Sequence, residues 1–297
     1  MRLRRARLLI SDPAVSIPVD ESGRTLWMRL SHNLPLLRSG NHLYDSIFER
    51  LAQLLLDADA HLTMIDVGAN IGDTTFLTNR VGDNCRFLCV EADTRHFPFL
   101  EKNTQHIKGV TRLHALVGDK AGVGNYEMHE LHGTSYVGEG CGTDVPITSI
   151  DNLAMQYPDF VHANLLKIDT DGFDLKVLRG AARLLAASKP IVIFELAPRH
   201  YVKAGKEDPN GVFDFLFATG YTKIALYNSS GHLMLYCDTS SPDALSCVRQ
   251  LVDFAHFEGR YFDVVAFHAE HDDRFRHFME TERRVFAPPP PETYQLT

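Results

Sequence analysis

The sequence predicts an α/β protein: a doubly wound, mostly parallel sheet of seven strands in a Rossmann-like arrangement, with an N-terminal elaboration. Two observations predict it. Apolar, β-rich runs alternate with helical patterns from about residue 60 to 268, as in strands joined by crossover helices. One of these runs, ending at Val67, leads straight into a glycine-rich turn with a helical pattern beyond it, the junction at which open α/β sheets face a ligand.

Residues 1–60 stand outside the alternation. A short strand pair is expected first, then an amphipathic helix at 44–56 carried by Ile47, Leu51, Leu54 and Leu55. The seven strands are placed at 63–67 (TMIDV), 86–91 (RFLCVE), 111–116 (TRLHAL), 164–169 (NLLKID), 190–196 (PIVIFEL), 222–227 (TKIALY) and 261–267 (YFDVVAF). Helical patterns fall between them near 72–80, 97–106, 149–157, 174–187, 210–219 and 243–256. The one at 174–187 is the clearest, with Leu175, Leu178, Ala182 and Leu185 at three- and four-residue steps and Ser188 and Pro190 to stop it. Residues 120–148, rich in glycine and polar side chains, read as an irregular excursion with a β arm around 123–128. Asn228-Ser-Ser-Gly231 reads as a turn between strands, and Pro288 to Pro291 as the start of an extended tail. The chain thus divides into an elaboration at 1–60, the α/β domain at 61–270, and a C-terminal helix with a proline-rich tail at 271–297.

Composition narrows the partners. A length of 297 residues suffices for one full core, and 44% hydrophobic with 23% charged residues is ordinary for a globular chain. The net charge of −8 argues against nucleic acid as a partner, because non-specific binding needs basic surface. Arg2, Arg4, Arg5 and Arg7 open the chain, and Asp12 and Pro13 interrupt any targeting helix there. No stretch approaches the ~20 apolar residues that span a bilayer. Five cysteines, odd in number and without CxxC spacing, suit free thiols, so a cytoplasmic protein is expected.

The most informative segment is Met64-Ile-Asp-Val-Gly-Ala-Asn-Ile-Gly72. Glycines let backbone approach a ligand closely, and a helix N-terminus offers unpaired N–H groups. A dinucleotide fingerprint would place glycine at 68, 70 and 73, whereas the chain has Gly68, Asn70 and Asp73. Asp66 ends the strand, where a carboxylate could meet an ammonium group. Glu91 ends the next strand, where an acid accepts ribose hydroxyls. Together these features favour S-adenosylmethionine over NAD.

Four motifs, DVGANIGDTT at 66–75, VEAD at 90–93, LKIDTDGFDLKVLRGA at 166–181 and PIVIFEL at 190–196, resemble those of the FkbM-type methyltransferases in order and spacing. The resemblance spans roughly residues 44–230. The family's KIDxEG motif has Asp171 in place of its glutamate here, which keeps the charge and shortens the reach. The resemblance implies a class I methyltransferase fold of seven strands, the last antiparallel, and methyl transfer from S-adenosylmethionine. The acceptor it implies is most often an oxygen of a sugar, glycan or specialised metabolite. Carried over by position, Asp66, Gly68, Asn70 and Gly72 would face the methionine part, Glu91 the ribose, and Asp119 either the adenine or only its own turn. Residues 1–60 would build part of the acceptor pocket, with Trp27, His32, His42 and Tyr44 as candidate linings; packing is an equal reading for Trp27.

Asp169 and Glu195 fall at neighbouring strand ends, which open onto the ligand crevice. They could act as general base on an acceptor hydroxyl, or hold a divalent metal between oxygen ligands. The fifth strand ends in Glu-Leu-Ala-Pro, without a second acid, so a metal-free mechanism is expected. Asp171 is placed to cap the following helix. His200, in Ala-Pro-Arg-His-Tyr, reads as a loop histidine that could also take a proton over the crevice. His268, His271 and His277 read as a solvated face, and Gly133 to Tyr136 as a segment positioned to close over substrate. Two other functions stand beside methyl transfer: a nucleotide-dependent oxidoreductase, which the glycine pattern disfavours, and a non-catalytic binding module on the same fold.

Overall fold

Eight strands form the central sheet, in the order β13-β12-β14-β11-β10-β3-β4-β5. These are β3 (Leu62–Val67), β4 (Cys85–Glu91), β5 (Val110–His114), β10 (Leu165–Ile168), β11 (Ile191–Leu196), β12 (Tyr221–Asn228), β13 (Leu233–Asp238) and β14 (Phe262–His268). The structure is a computed structural model that describes residues 12–19, 23–131, 134–139 and 143–287. The N-terminal arginines, Gly133, Cys141 and the Pro288–Pro291 run lie outside these residues.

Strands β5, β4, β3, β10 and β11 are mutually parallel, and β14 enters antiparallel between β11 and β12. Every residue of β3 is buried, because helices cover both faces of the sheet. That is why these strands read in the sequence as near-continuous apolar runs. All seven expected strands are present, but the sheet has eight. After the expected turn at Asn228–Gly231 the chain returns as β13, an antiparallel edge strand. Leu235 and Cys237 pack on the core while Met234 and Tyr236 face outward. Six residues of such alternation are too short a signal to separate from a loop.

Before the sheet, β1 (Ala14–Pro18) and β2 (Thr25–Arg29) form the expected antiparallel pair. Helices α1 (Leu34–Arg38) and α2 (Ser46–Asp59) follow, then α3 (Asp73–Asn79) and α4 (Phe97–Thr104) around β4. The excursion after β5 is a second sheet of β6 (Leu116–Val117), β7 (Gly122–Leu131), β8 (Thr134–Glu139) and β9 (Thr143–Thr148), ordered β6-β9-β7-β8. The expected arm at 123–128 is part of β7. Helix α5 (Ile150–Gln156) leads back to β10.

The helix expected over 174–187 is broken into α6 (Asp174–Arg179) and α7 (Ala182–Ser188). Gly180 marks the break because a side chain has no room there: a Cβ would stand 2.1 Å from the Gly118 carbonyl oxygen. The Gly180 carbonyl accepts from the Asp151 N–H at 2.9 Å. The Asp151 carboxylate in turn accepts from the N–H groups of Arg183 and Leu184, both at 3.0 Å, and so caps α7. The break shifts the buried register, leaving Ala182 exposed and burying Ala181 and Leu184 instead.

The last helix among the described residues is α11 (Asp272–Val285), after α8 (Pro198–His200), α9 (Gly211–Ala218) and α10 (Pro242–Glu258). Helix α11 buries Phe275, Phe278 and Met279 against the sheet. Glu282 is fully buried, where it accepts from the Arg50 guanidinium of α2 and, at 2.8 Å, from the Tyr227 hydroxyl of β12. Removing one partner of such a buried pair strands the other charge, so Glu282→Ala should lower unfolding stability by about 3–5 kcal/mol. Urea denaturation checks this; an unchanged midpoint would mean that Arg50 finds water instead.

Candidate functional site

The strand–helix turn after β3 owes its shape to three left-handed residues: Gly68 (φ 74), Asn70 (φ 49) and Gly72 (φ 83). Asparagine is the side-chain-bearing residue that tolerates this region best, which explains the Gly-x-Asn-x-Gly pattern. At Gly68 no alternative fits, because a Cβ would lie 1.8 Å from the Asp169 carbonyl oxygen. The turn and the end of β10 are therefore in direct backbone contact.

A cleft opens beside this turn. Gly68, Asn70, Glu91, His96, Thr170 and Phe173 are among its walls. The Glu91 carboxylate accepts from the N–H groups of Asn70 and Asp93, both at 2.7 Å, which leaves a lone pair on each oxygen. Burial pushes its carboxyl up to about 7, with those two backbone bonds pulling the other way. His96, which the sequence reading missed, is buried, and burial lowers its imidazole to about 4, so it is neutral. Its Nδ1 and the Thr170 Oγ1 are buried without a hydrogen-bond partner among the described residues. Two orphaned polar atoms in one cleft fit a polar ligand such as a nucleoside cofactor.

Behind the turn lies a buried cation that sequence reasoning also missed. Lys167 of β10 stands directly opposite Asp66 of β3 in the parallel register. Its ammonium lies 3.1 Å from Asp66, donates to the Gly68 carbonyl at 2.7 Å, and lies 3.5 Å from Asp169. Burial works against its charge, but the Asp66, Asp169 and Asp73 carboxylates outweigh burial and raise its pKa. A lysine inside the apolar run Leu165–Ile168, opposite an aspartate inside Met64–Val67, was the available signal. Asp66 is wholly buried, and the ammonium it meets is that of Lys167; the cleft wall does not include it.

A second cavity adjoins the first and shares Gly68, Asn70 and Asp169 with it. His32, Tyr44, Asp45, Glu195, Tyr261 and Asp263 contribute to its lining. His32 Nδ1 accepts from the Leu34 N–H at 3.1 Å, which assigns the proton to Nε2, 3.3 Å from Asn70 Oδ1. Of the four linings expected from residues 1–60, His32 and Tyr44 are here. Trp27 instead lies beneath the Lys102 ammonium, 3.1 Å from its ring centroid, and His42 borders a separate groove beside Arg50.

The remaining candidates fall into place around these cavities. Asp169 is the acid common to both, and its side chain is 45% exposed. Glu195 faces the second cavity, its carboxyl held well above the usual range by burial and by neighbouring Asp169, Asp171 and Asp263. Asp171 does not cap α6. The N-cap position falls on Phe173, which makes no side-chain cap, while Asp174 braces the preceding turn by accepting from the N–H groups of Thr170 (3.3 Å) and Gly172 (3.1 Å). Asp171 instead meets His200 Nδ1 at 3.1 Å, and this hydrogen bond raises the imidazole pKa. His200 is outside the lining of both cavities. Asp171, Glu195 and His200 bring one ligand atom each within 4.8 Å of one another, a set that could hold a divalent ion. His268, His271 and His277 form no such group among the described residues. Asp119 is exposed and is in the lining of neither cavity. Thr134–Tyr136 belong to β8.

A family model described as the methyltransferase FkbM domain matches residues 66–223. Comparison with curated protein sequences returned no match. Among solved structures, the chain is similar to a methyltransferase FkbM from Methylobacillus flagellatus KT, with 15% identity, 70% of this chain and 44% of that chain covered, and a TM-score of 0.41. It is also similar to a precorrin-6y C5,15-methyltransferase from Geobacter metallireducens GS-15 (13% identity, 70% and 80% covered, TM-score 0.39). A third is a SAM-dependent methyltransferase from Agrobacterium tumefaciens (6% identity, 85% and 70% covered, TM-score 0.44). The chain spans less than half of the Methylobacillus protein's length.

The acids of the site set the pH dependence of stability. Glu91 titrates at about 7 when folded against an ordinary 4.5, so the folded chain holds a proton that the unfolded chain has released. Its contribution is complete below pH 4.5 and is lost as pH rises through 7. Asp174 and Asp263, both raised to about 7 chiefly by burial, act with the same sign. Tm should therefore be lower at pH 8 than at pH 6.5, with Glu91→Gln recovering on the order of 1 kcal/mol of the difference. Thermal denaturation at the two pH values checks this, and a flat profile would refute it.

Proposed function

The chain belongs to the FkbM methyltransferase domain family, and from that membership we propose that it transfers a methyl group from S-adenosylmethionine to a hydroxyl oxygen of a small-molecule or glycan acceptor. The observation that carries this reading is the pair of adjoining cavities with Gly68, Asn70 and Asp169 as their common wall. A two-substrate transfer needs such a junction, because aligning donor and acceptor supplies most of the rate.

When bound, S-adenosylmethionine supplies an electrophilic methyl group on sulfur. The chain's residues do the rest. Glu91 accepts ribose hydroxyls through the lone pairs its backbone bonds leave free. The Gly68–Gly72 turn lets a ligand approach the backbone closely, and Lys167 holds that turn through the Gly68 carbonyl. Asp169, at the junction, takes the proton of the acceptor hydroxyl as the oxygen gains the methyl group. Glu195 lines the acceptor side, and His200 holds Asp171 beside it. Among the described residues no helix is long and apolar enough to cross a membrane. The free thiols Cys85, Cys89, Cys237 and Cys247 support a cytoplasmic setting.

Calorimetry tests the cofactor: S-adenosylmethionine or S-adenosylhomocysteine should bind, NAD far more weakly, and Glu91→Ala should cost about 1.5–3 kcal/mol of binding. Preferential binding of NAD would overturn the assignment. Turnover tests the chemistry. Asp169→Asn should keep the fold and lose about 10²–10⁴ in rate, and wild-type activity should persist in EDTA. Loss of activity on chelation with recovery on Mg²⁺ would recast the strand-end acids as metal ligands.

A further inference from the structure

The acceptor cavity is unusual in its charge. Five carboxylates line it, from five places in the chain: Asp45 before α2, Asp73 at the start of α3, Asp169 after β10, Glu195 on β11 and Asp263 on β14. Lys167 is the single lysine or arginine in that lining, and Asp66, the Gly68 carbonyl and Asp169 already engage it. Glu195 and Asp263 stand directly opposite each other on antiparallel β11 and β14, a like-charge pairing that works against the sheet. Burial, with neighbouring carboxylates adding to it, holds Asp45 and Glu195 well above the usual range and pushes Asp263 up to about 7. Such crowding disfavours a phosphorylated or carboxylated acceptor. It rewards a positive charge.

Two observations choose between an organic cation and a metal ion. Among the described residues, the one group of three or more ligand atoms that converge within 4.8 Å is Asp171, Glu195 and His200, so Asp45, Asp73 and Asp263 are too dispersed to ligate one ion together. Aromatic residues share the same lining: Tyr44, Phe48, Phe194 and Tyr261. Carboxylates interleaved with aromatic rings are the chemistry of ammonium recognition, not of metal coordination. We infer that the methyl acceptor is an amine-bearing polyol, its ammonium group held on the Asp45–Asp263 side of the cavity while a hydroxyl reaches Asp169. This rests on the methyl-transfer reading and adds the acceptor's charge.

The test uses the full chain and begins with calorimetry of S-adenosylhomocysteine, whose failure to bind would end the methyl-transfer reading by itself. With that ligand bound, three probes of one scaffold are titrated: glucosamine, N-acetylglucosamine and glucose 6-phosphate. Glucosamine should bind at least ~10-fold tighter than the other two, a difference of about 1.4 kcal/mol. Asp263→Asn and, separately, Asp45→Asn should each erase that preference, with unchanged S-adenosylhomocysteine affinity reporting an intact fold. Equal binding of the three, preference for the acetylated or phosphorylated sugar, or no binding of glucosamine would overturn the inference. So would saturable binding of Mg²⁺ alone that Asp263→Asn abolishes.

Discussion

One buried ammonium holds the working edge of the sheet together. Lys167 reaches across from β10 to Asp66 on β3, and the same nitrogen takes the Gly68 carbonyl and approaches Asp169. Taking a lysine out of water is costly, and the cost is met only where several oxygens converge on it. That convergence fixes two loops relative to each other: the turn beside the cofactor cleft and the strand end that carries Asp169. The backbone contact between Gly68 and the Asp169 carbonyl is the geometric counterpart.

This dependence also explains which parts of the molecule were legible in the sequence. Strands β3, β4, β10 and β11 lie between helical layers, so burial on both faces wrote them as apolar runs. Gly68, Asn70, Gly72 and Glu91 could be read because each meets a local demand, three of left-handed backbone and one at a strand end. Lys167 could not be read in the same way, since its partner lies on a strand far away in the chain and only the register brings them together. His96 has no local signature, and its place in the cleft follows from the turn after Glu91.

The misreadings share a cause. Asp171 is placed to cap α6 by its position in sequence, but its backbone is left-handed, its side chain turns to His200, and the N-cap position falls on Phe173 without a side-chain bond. The leucine spacing over 174–187 fits one helix as well as two, and what separates them is a close approach to Gly118 from another sheet. Strand β13 and His42 follow the same rule, and for Trp27 and Asp119 the two readings left open in the sequence are separated by neighbours in space. The acceptor cavity divides the same way: Asp169 and Glu195 were legible as strand-end acids, whereas Asp45 and Asp263 join them only through the fold.

The two sides of Asp169 therefore differ in how their acids are partnered. On the turn side, the Glu91 carboxylate is met by two backbone N–H groups, and behind the turn Asp66 is met by the Lys167 ammonium. On the other side, Asp45, Asp73, Glu195 and Asp263 have no hydrogen bond or ion pair through their carboxylates among the described residues. A balanced, preformed cleft suits a ligand that every turnover uses, because its donors and acceptors need no rearrangement on binding. An unbalanced cavity discriminates instead, since it penalises any ligand that does not bring the missing charge. The antiparallel entry of β14 is what sets Asp263 against Glu195, so the strand that departs from the parallel sheet is also the one that gives the acceptor side its charge.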